Sequence, residues 1–221
     1  MVVNTTPDPV QAITDNHGRT RRGRVWFFLV WLICAAPVVA SYLTFYVIKP
    51  SSTSSFGELI TPTRDLPSIP ARELDGRAIG LDALKGQWLL ISVAGGACET
   101  ACEARLYLQR QLRELMGREK DRLDWVWLIN DEIPVAPAIM PALQTARVLR
   151  VADDSLKAWL SPAAGHALKD HLYVVDPMGR LMMRFPADLS VANAAKAKKD
   201  LARLLTASAS WDKAGRQVTG N

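Results

Sequence analysis

Cysteine and histidine are scarce in this 221-residue chain, with three of each. Three cysteines are too few for a disulfide-built scaffold, and Cys34 lies inside an apolar block. One pair remains, Cys98 and Cys102, a count suited to a site rather than a framework. A strong excess of one charge is also missing: 27 Lys and Arg stand against 22 Asp and Glu, a net charge of +5. The arginines are scattered apart from Arg19, Arg21, Arg22 and Arg24, which argues against a nucleic-acid partner. Internal repeats are absent, and long apolar runs are limited to one, over residues 25–48. The length suffices for one globular domain of ordinary size with accessory segments.

That single run organises the N-terminal part. Residues 1–18 are polar and without hydrophobic period, which predicts a disordered tail, and the arginine cluster completes a cytoplasmic segment 1–24. Residues 25–48 exceed the roughly 20 needed to span a bilayer. Trp26 and Trp31 lie toward one end and Tyr42 and Tyr46 toward the other, where interfacial aromatics are favoured. A cleaved signal peptide would have a shorter apolar core, and a lipoprotein would need a small residue where Ile33 precedes Cys34. Arg21-Arg22 would also suit a twin-arginine signal. An uncleaved anchor accounts for all of these features, with Pro37 tolerated inside it. The positive-inside rule then puts the N-terminus in the cytoplasm and the C-terminal domain in the periplasm, held to the inner membrane by one helix. The remaining divisions are a polar linker, 49–56, a folded domain, 57–207, and a flexible tail, 208–221.

Within the domain, residues 88–93 form a continuous apolar run of strand length, as expected of a central strand covered on both faces. Ala101, Ala104, Leu108, Leu112 and Leu115 recur at helical spacing and predict an amphipathic helix over 102–116. A second buried strand follows at 123–129. Pro134, Pro137 and Pro141 mark a loop before a helix near 142–149, and a short helix is expected at 154–160, capped by Asp153 or Asp154. Residues 171–175 and 180–185 pair as a hairpin about the Asp-Pro-Met-Gly turn at 176–179, and Ser190 caps a last helix. This order yields a three-layer α/β sandwich, in the sequence of elements of a thioredoxin-like domain.

The cysteine pair falls where the first strand passes into the helix, after Gly95 and Gly96. Side chains four apart at a helix start share one face, about one turn apart. The spacing suits two thiolates on one soft metal ion, and it also suits a disulfide. The helix N-terminus favours the thiolate, Glu99 and Glu103 oppose it, and Arg105 offsets them. The alternatives are two packed cysteines or an ordinary stabilising disulfide. Two thiolates with an imidazole would make a soft site suited to copper. His17 is on the wrong side of the anchor for this. His166 lies in a loop, and His171 opens the third strand beside Asp170; both remain candidates. Met178, Met182 and Met183, around the hairpin, read as core and rim.

Three features resemble the Sco/SenC family of copper-delivery proteins for cytochrome c oxidase: Leu-Lys-Gly-Gln-Trp at 84–88, the Cys-x-x-x-Cys of Cys98 and Cys102, and Asp170-His171 ahead of a strand and an Asp-Pro-x-Gly turn. The chain departs from the family after each cysteine, where Glu99 and Glu103 replace prolines. The resemblance covers residues 57–207 and implies a thioredoxin-like fold behind a single anchor, with copper held by Cys98, Cys102 and His171. It also implies a partner, a cytochrome c oxidase subunit with a copper site. The role implied is that of a metallochaperone, or of a reductant maintaining copper-site cysteines. A thiol-disulfide oxidoreductase and a scaffold protein with a static disulfide are the alternatives.

Overall fold

The computed structural model describes residues 9–44, 46 and 55–215. The chain divides into two units, residues 1–54 and 55–221. In the first, one helix, α1 (Pro9–Leu43), contains a stretch long and apolar enough to cross a membrane, Arg22–Leu43. Its apolar side chains, including Trp26, Phe27, Leu32 and Val38, point outward all round. A helix apolar on every side suits lipid better than water. The disordered tail expected up to residue 18 is corrected in part, because the helix begins at Pro9. Proline at a helix start forgoes only an amide that would lack a partner anyway. Residues 1–8, 45, 47–54 and 216–221, and with them the end of the expected span and most of the expected linker, lie outside the described residues.

The second unit is built on one eight-stranded sheet in the order β1-β8-β7-β4-β5-β6-β2-β3. The strands are β1 (Glu58–Asp65), β2 (Pro70–Glu73), β3 (Ala78–Gly80), β4 (Trp88–Ala94), β5 (Leu123–Ile129), β6 (Arg147–Val151), β7 (Leu172–Val175) and β8 (Arg180–Arg184). Strands β4, β5 and β6 run parallel, and β7 lies antiparallel to β4. Helix α2 (Thr100–Glu114) links β4 to β5. The short α3 (Asp153–Trp159) follows β6, and α4 (Ala194–Ser208) closes the domain.

Alternation along the central strands assigns the two faces. Leu89, Ile91 and Val93 of β4 join Val126 and Leu128 of β5 and Tyr173 and Val175 of β7 in a core with α3. Trp88 and Leu90 point the other way and join Leu172 and Val174 beneath α2 and α4. Trp125, Trp127 and Ile129 extend that second face toward the cysteines. Ser92 also lies on this face and donates to Gln109 of α2 at 2.9 Å. The Gln109 side-chain amide then donates to the carbonyls of Leu90 and Val126, at 2.6 and 2.9 Å. This fully buried polar pin sets the height and rotation of α2 over the two parallel strands.

Two expectations are corrected in this unit. The helix predicted near 142–149 is instead a single turn (Met140–Leu143) followed by strand β6. A five-residue apolar window is ambiguous in period, and the free edge of β5 decides it. The tail expected from residue 208 is pinned through residue 212. There Asp212, 7% exposed, takes Arg122 at 2.8 Å, and Ser208 accepts from the Trp88 indole at 3.0 Å.

Candidate functional site

The site grows from the parallel register. Ala94 lies opposite Ile129, so the segments leaving the C-terminal ends of β4 and β5 emerge side by side. The first is Gly95-Gly96-Ala97-Cys98, and the second is Asn130 to Ile133. Asp131 accepts from the Gly96 and Ile133 amides, at 2.9 and 3.1 Å, through one carboxylate oxygen. Arg150 of β6 clamps the second segment by donating to the carbonyls of Asp131 and Ile133, at 2.6 and 2.8 Å. A Cβ on Gly95 would run into the Asp131 carboxylate, and one on Gly96 into the Ile133 carbonyl. The glycine pair is therefore required by close approach of the neighbouring segment.

Beyond the glycines, Cys98 adopts a left-handed φ of 41° and its amide donates back to Gly95 at 3.2 Å. Glu99 stands at the helix N-cap, and its carbonyl accepts from the amides of Cys102 and Glu103, at 2.7 and 3.0 Å. The tight turn brings the two Cα atoms to 5.0 Å, and Cys98 and Cys102 form a disulfide. The sulfur pair is unequally placed. Cys98 is 5% exposed and packs among Leu106, Trp125 and Trp127, whereas Cys102 is only partly buried.

A cavity of about 360 Å³ opens beside the disulfide. Both cysteines line it with Arg105 and Leu106 of α2, Asp131 and Ile133 from beyond β5, and Lys169 and Asp170 from ahead of β7. Arg105 donates to the Asp170 carbonyl at 2.8 Å. Burial lowers its pKa, against the opposing pull of Asp170 and Tyr173.

His171 is not among the lining residues. It is 1% exposed, and both ring nitrogens are engaged: Nδ1 donates to the Phe185 carbonyl at 2.8 Å, and Nε2 accepts from the Ala163 amide at 3.1 Å. Burial pushes its pKa down, only partly offset by the bond to Phe185. Its ring stacks edge-on with Tyr173, 6.0 Å between centroids, and so shares the face opposite the cysteines. The His166 ring lies 5.4 Å from that of His171, and it is not among the lining residues either. Among the described residues no three metal-capable side chains gather. The copper set of Cys98, Cys102 and His171 is not brought together in this structure, because both ring nitrogens are bonded to backbone and the ring does not line the cavity beside the sulfurs. Asp170, the residue before, reaches the cavity that the histidine does not.

Sequence reasoning noted Arg105 only as a charge near the thiols and gave Asp131, Arg150 and Lys169 no role. A usable signal was present for Asp131, which directly follows the C-terminal end of a parallel strand, where sites in α/β sheets collect.

A family described as "transmembrane-like, thioredoxin-like, C-terminal domain" matches residues 88–208, more than half of the chain. The chain belongs to this family. No curated protein matches it in sequence. Among solved structures, the domain is similar to a Sco/SenC family lipoprotein from Bacillus anthracis (17% identity, TM-score 0.49, 68% of this chain and 99% of that one). It is also similar to the ScoI protein of Bradyrhizobium japonicum with copper bound (18%, 0.43, 59% and 95%). A third is a provisionally named protein disulfide isomerase from Bacteroides thetaiotaomicron (12%, 0.50, 71% and 97%). At such identities the likeness concerns the fold, which is the thioredoxin-like α/β sandwich expected. Sco/SenC proteins are among the structures that share it, and the family's own description pairs that fold with a transmembrane-like character.

Proposed function

We propose that this protein is a membrane-anchored thiol–disulfide exchange protein whose domain lies outside the cytoplasm and works through Cys98 and Cys102. One observation carries the reading: a disulfide at the start of an amphipathic helix, bordering an open cavity rather than sealed in the core. A brace needs no such access. The partner proposed is a protein cysteine pair that must be held in one redox state. Copper-site cysteines of a cytochrome c oxidase subunit are a fitting class, since one similar structure is described as a member of the Sco family of cytochrome c oxidase assembly proteins.

Copper delivery by this chain would have to rest on the two thiolates, since His171 is committed to backbone on the opposite face. Exchange asks for nothing beyond the pair: a thiolate attacks one sulfur, the other leaves, and a mixed disulfide links the partners. The test is an equilibrium titration of the full chain in detergent against thiol buffers, read by alkylation and mass. A midpoint above about −300 mV supports exchange, and one well below it marks a static brace.

A further inference from the structure

Resting on the exchange reading, we infer that Cys102, the second cysteine, is the sulfur that bonds to the partner, with Cys98 as the resolving thiol and Arg105 as a positioning residue for the Cys102 thiolate. Three observations converge on this order. Both cysteines line the cavity, but Cys98 has its back to the core, 5% exposed among Leu106, Trp125, Trp127 and Ile129, while Cys102 is only partly buried. The turn that carries Cys98 is also held in place, because the Gly95-Gly96 segment is pressed against Asp131 and the Ile133 carbonyl. Finally, Arg105 sits three residues after Cys102 in α2 and lines the same cavity. Residues three apart on a helix have neighbouring side chains.

The charge around Cys102 supports the role of Arg105. Its guanidinium donates to a neutral carbonyl, that of Asp170. It forms no ion pair within 4.0 Å among those described. The acidic groups at the cavity are otherwise engaged. Asp131 accepts from two amides, and Asp170 accepts from the Ala167 amide at 2.8 Å and approaches His166 at 3.7 Å. Glu99 and Glu103 are exposed, where water screens them. Lys169, also at the cavity, adds a second positive charge. A half-buried guanidinium that feels Asp170 but has no carboxylate within 4.0 Å among the described residues favours an anion at a neighbouring exposed sulfur.

Exchange then proceeds by two successive displacements at sulfur. A partner thiolate attacks the Cys102 sulfur, the Cys98–Cys102 bond breaks, and Cys98 leaves as a thiolate that takes a proton from water. The partner's second thiolate attacks its own sulfur in the mixed disulfide and expels the Cys102 thiolate beside Arg105. Two electrons pass from the partner dithiol to this protein. The reverse direction runs through the same Cys102-linked intermediate and oxidises Cys98 and Cys102 while reducing a partner disulfide.

The test needs no variant at its first stage. The full chain, in detergent and fully reduced, is pulsed with iodoacetamide and cleaved after Glu99, which separates the two cysteines for mass spectrometry. Cys102 is expected to be labelled about tenfold faster than Cys98. Faster labelling of Cys98, or equal rates, overturns the assignment. In a second stage, Arg105→Gln is expected to move the Cys102 labelling profile to higher pH and Arg105→Lys to restore it. An unmoved profile removes the role of Arg105. Incubation with oxidised glutathione should then trap a mixed disulfide at Cys102 in Cys98→Ser and little at Cys98 in Cys102→Ser. A wild-type disulfide that no thiol buffer reduces would instead sink the exchange reading while the labelling order still judges the sulfur.

Discussion

His171 illustrates how a single residue is assigned by what its ring atoms touch. Its neutral form is held between the Phe185 carbonyl and the Ala163 amide, and burial disfavours the imidazolium. The folded-state pKa therefore lies below the unfolded value of about 6.5. The unfolded chain binds the extra proton first, so this contribution is complete above that pH and is lost as pH falls toward the folded pKa. Thermal melts of the wild type should lose more stability between pH 7.5 and pH 5 than melts of His171→Gln, which lacks the titrating ring. Equal losses would show that the ring does not titrate with folding. The same substitution should leave Cys102 labelling unchanged, because the ring does not line the cavity. Cysteine spacing was legible in the sequence because four residues at a helix start bring two side chains together whatever the surroundings. Which histidine could join them was not, because that depends on how the segment ahead of β7 packs each ring.

At the scale of elements, α2, β4, β5, β7, the β7–β8 hairpin and α4 were readable from local pattern, since long apolar periods and turn chemistry act within a few residues. Strands β1, β2, β3 and β6 were not. They are short or polar, and each exists because a neighbour offers an unpaired edge: β1 pairs with β8, and β2 with β6 and β3. The C-terminal attachment of α4 has a similar origin. Arg122, following α2, donates to Asp212 at 2.8 and 3.1 Å, to Ser208 at 2.8 Å and to the Leu205 carbonyl at 2.9 Å. These contacts lie far apart in sequence, so no window of residues announces them. Arg122→Ala leaves the Asp212 carboxylate buried without its cation and should cost about 3 kcal/mol. A thermal melt should show this as a drop of roughly 10 °C, whereas a drop of a degree or less would mean that water replaces the arginine. Labelling of Cys102 should be little changed at temperatures where the variant is folded.

For the whole molecule, the apolar span and the proposed exchange site impose one requirement on each other. A disulfide persists in an oxidising compartment, and the proposed function requires that the positive cluster ahead of the apolar span stay inside and leave the domain in one. An alkaline phosphatase reporter fused after Asn221 should be active, and a reporter that matures only in the cytoplasm should be silent at the same place. The opposite pattern would put the cysteines in the reducing compartment and remove the setting for exchange. The sequence alone determined the apolar span, the central strands, the cysteine-bearing helix and the spacing that lets its sulfurs meet. All of these follow from composition and periodicity over neighbouring residues. The tertiary structure decided the rest: that β4 and β5 run in a register bringing Asp131 against the glycine turn, that Cys98 turns inward and Cys102 outward, and that His171 lies on the far face. Those outcomes rest on strand pairing and side-chain alternation between segments distant in the chain, where a shift of one residue exchanges what faces the site for what faces the core.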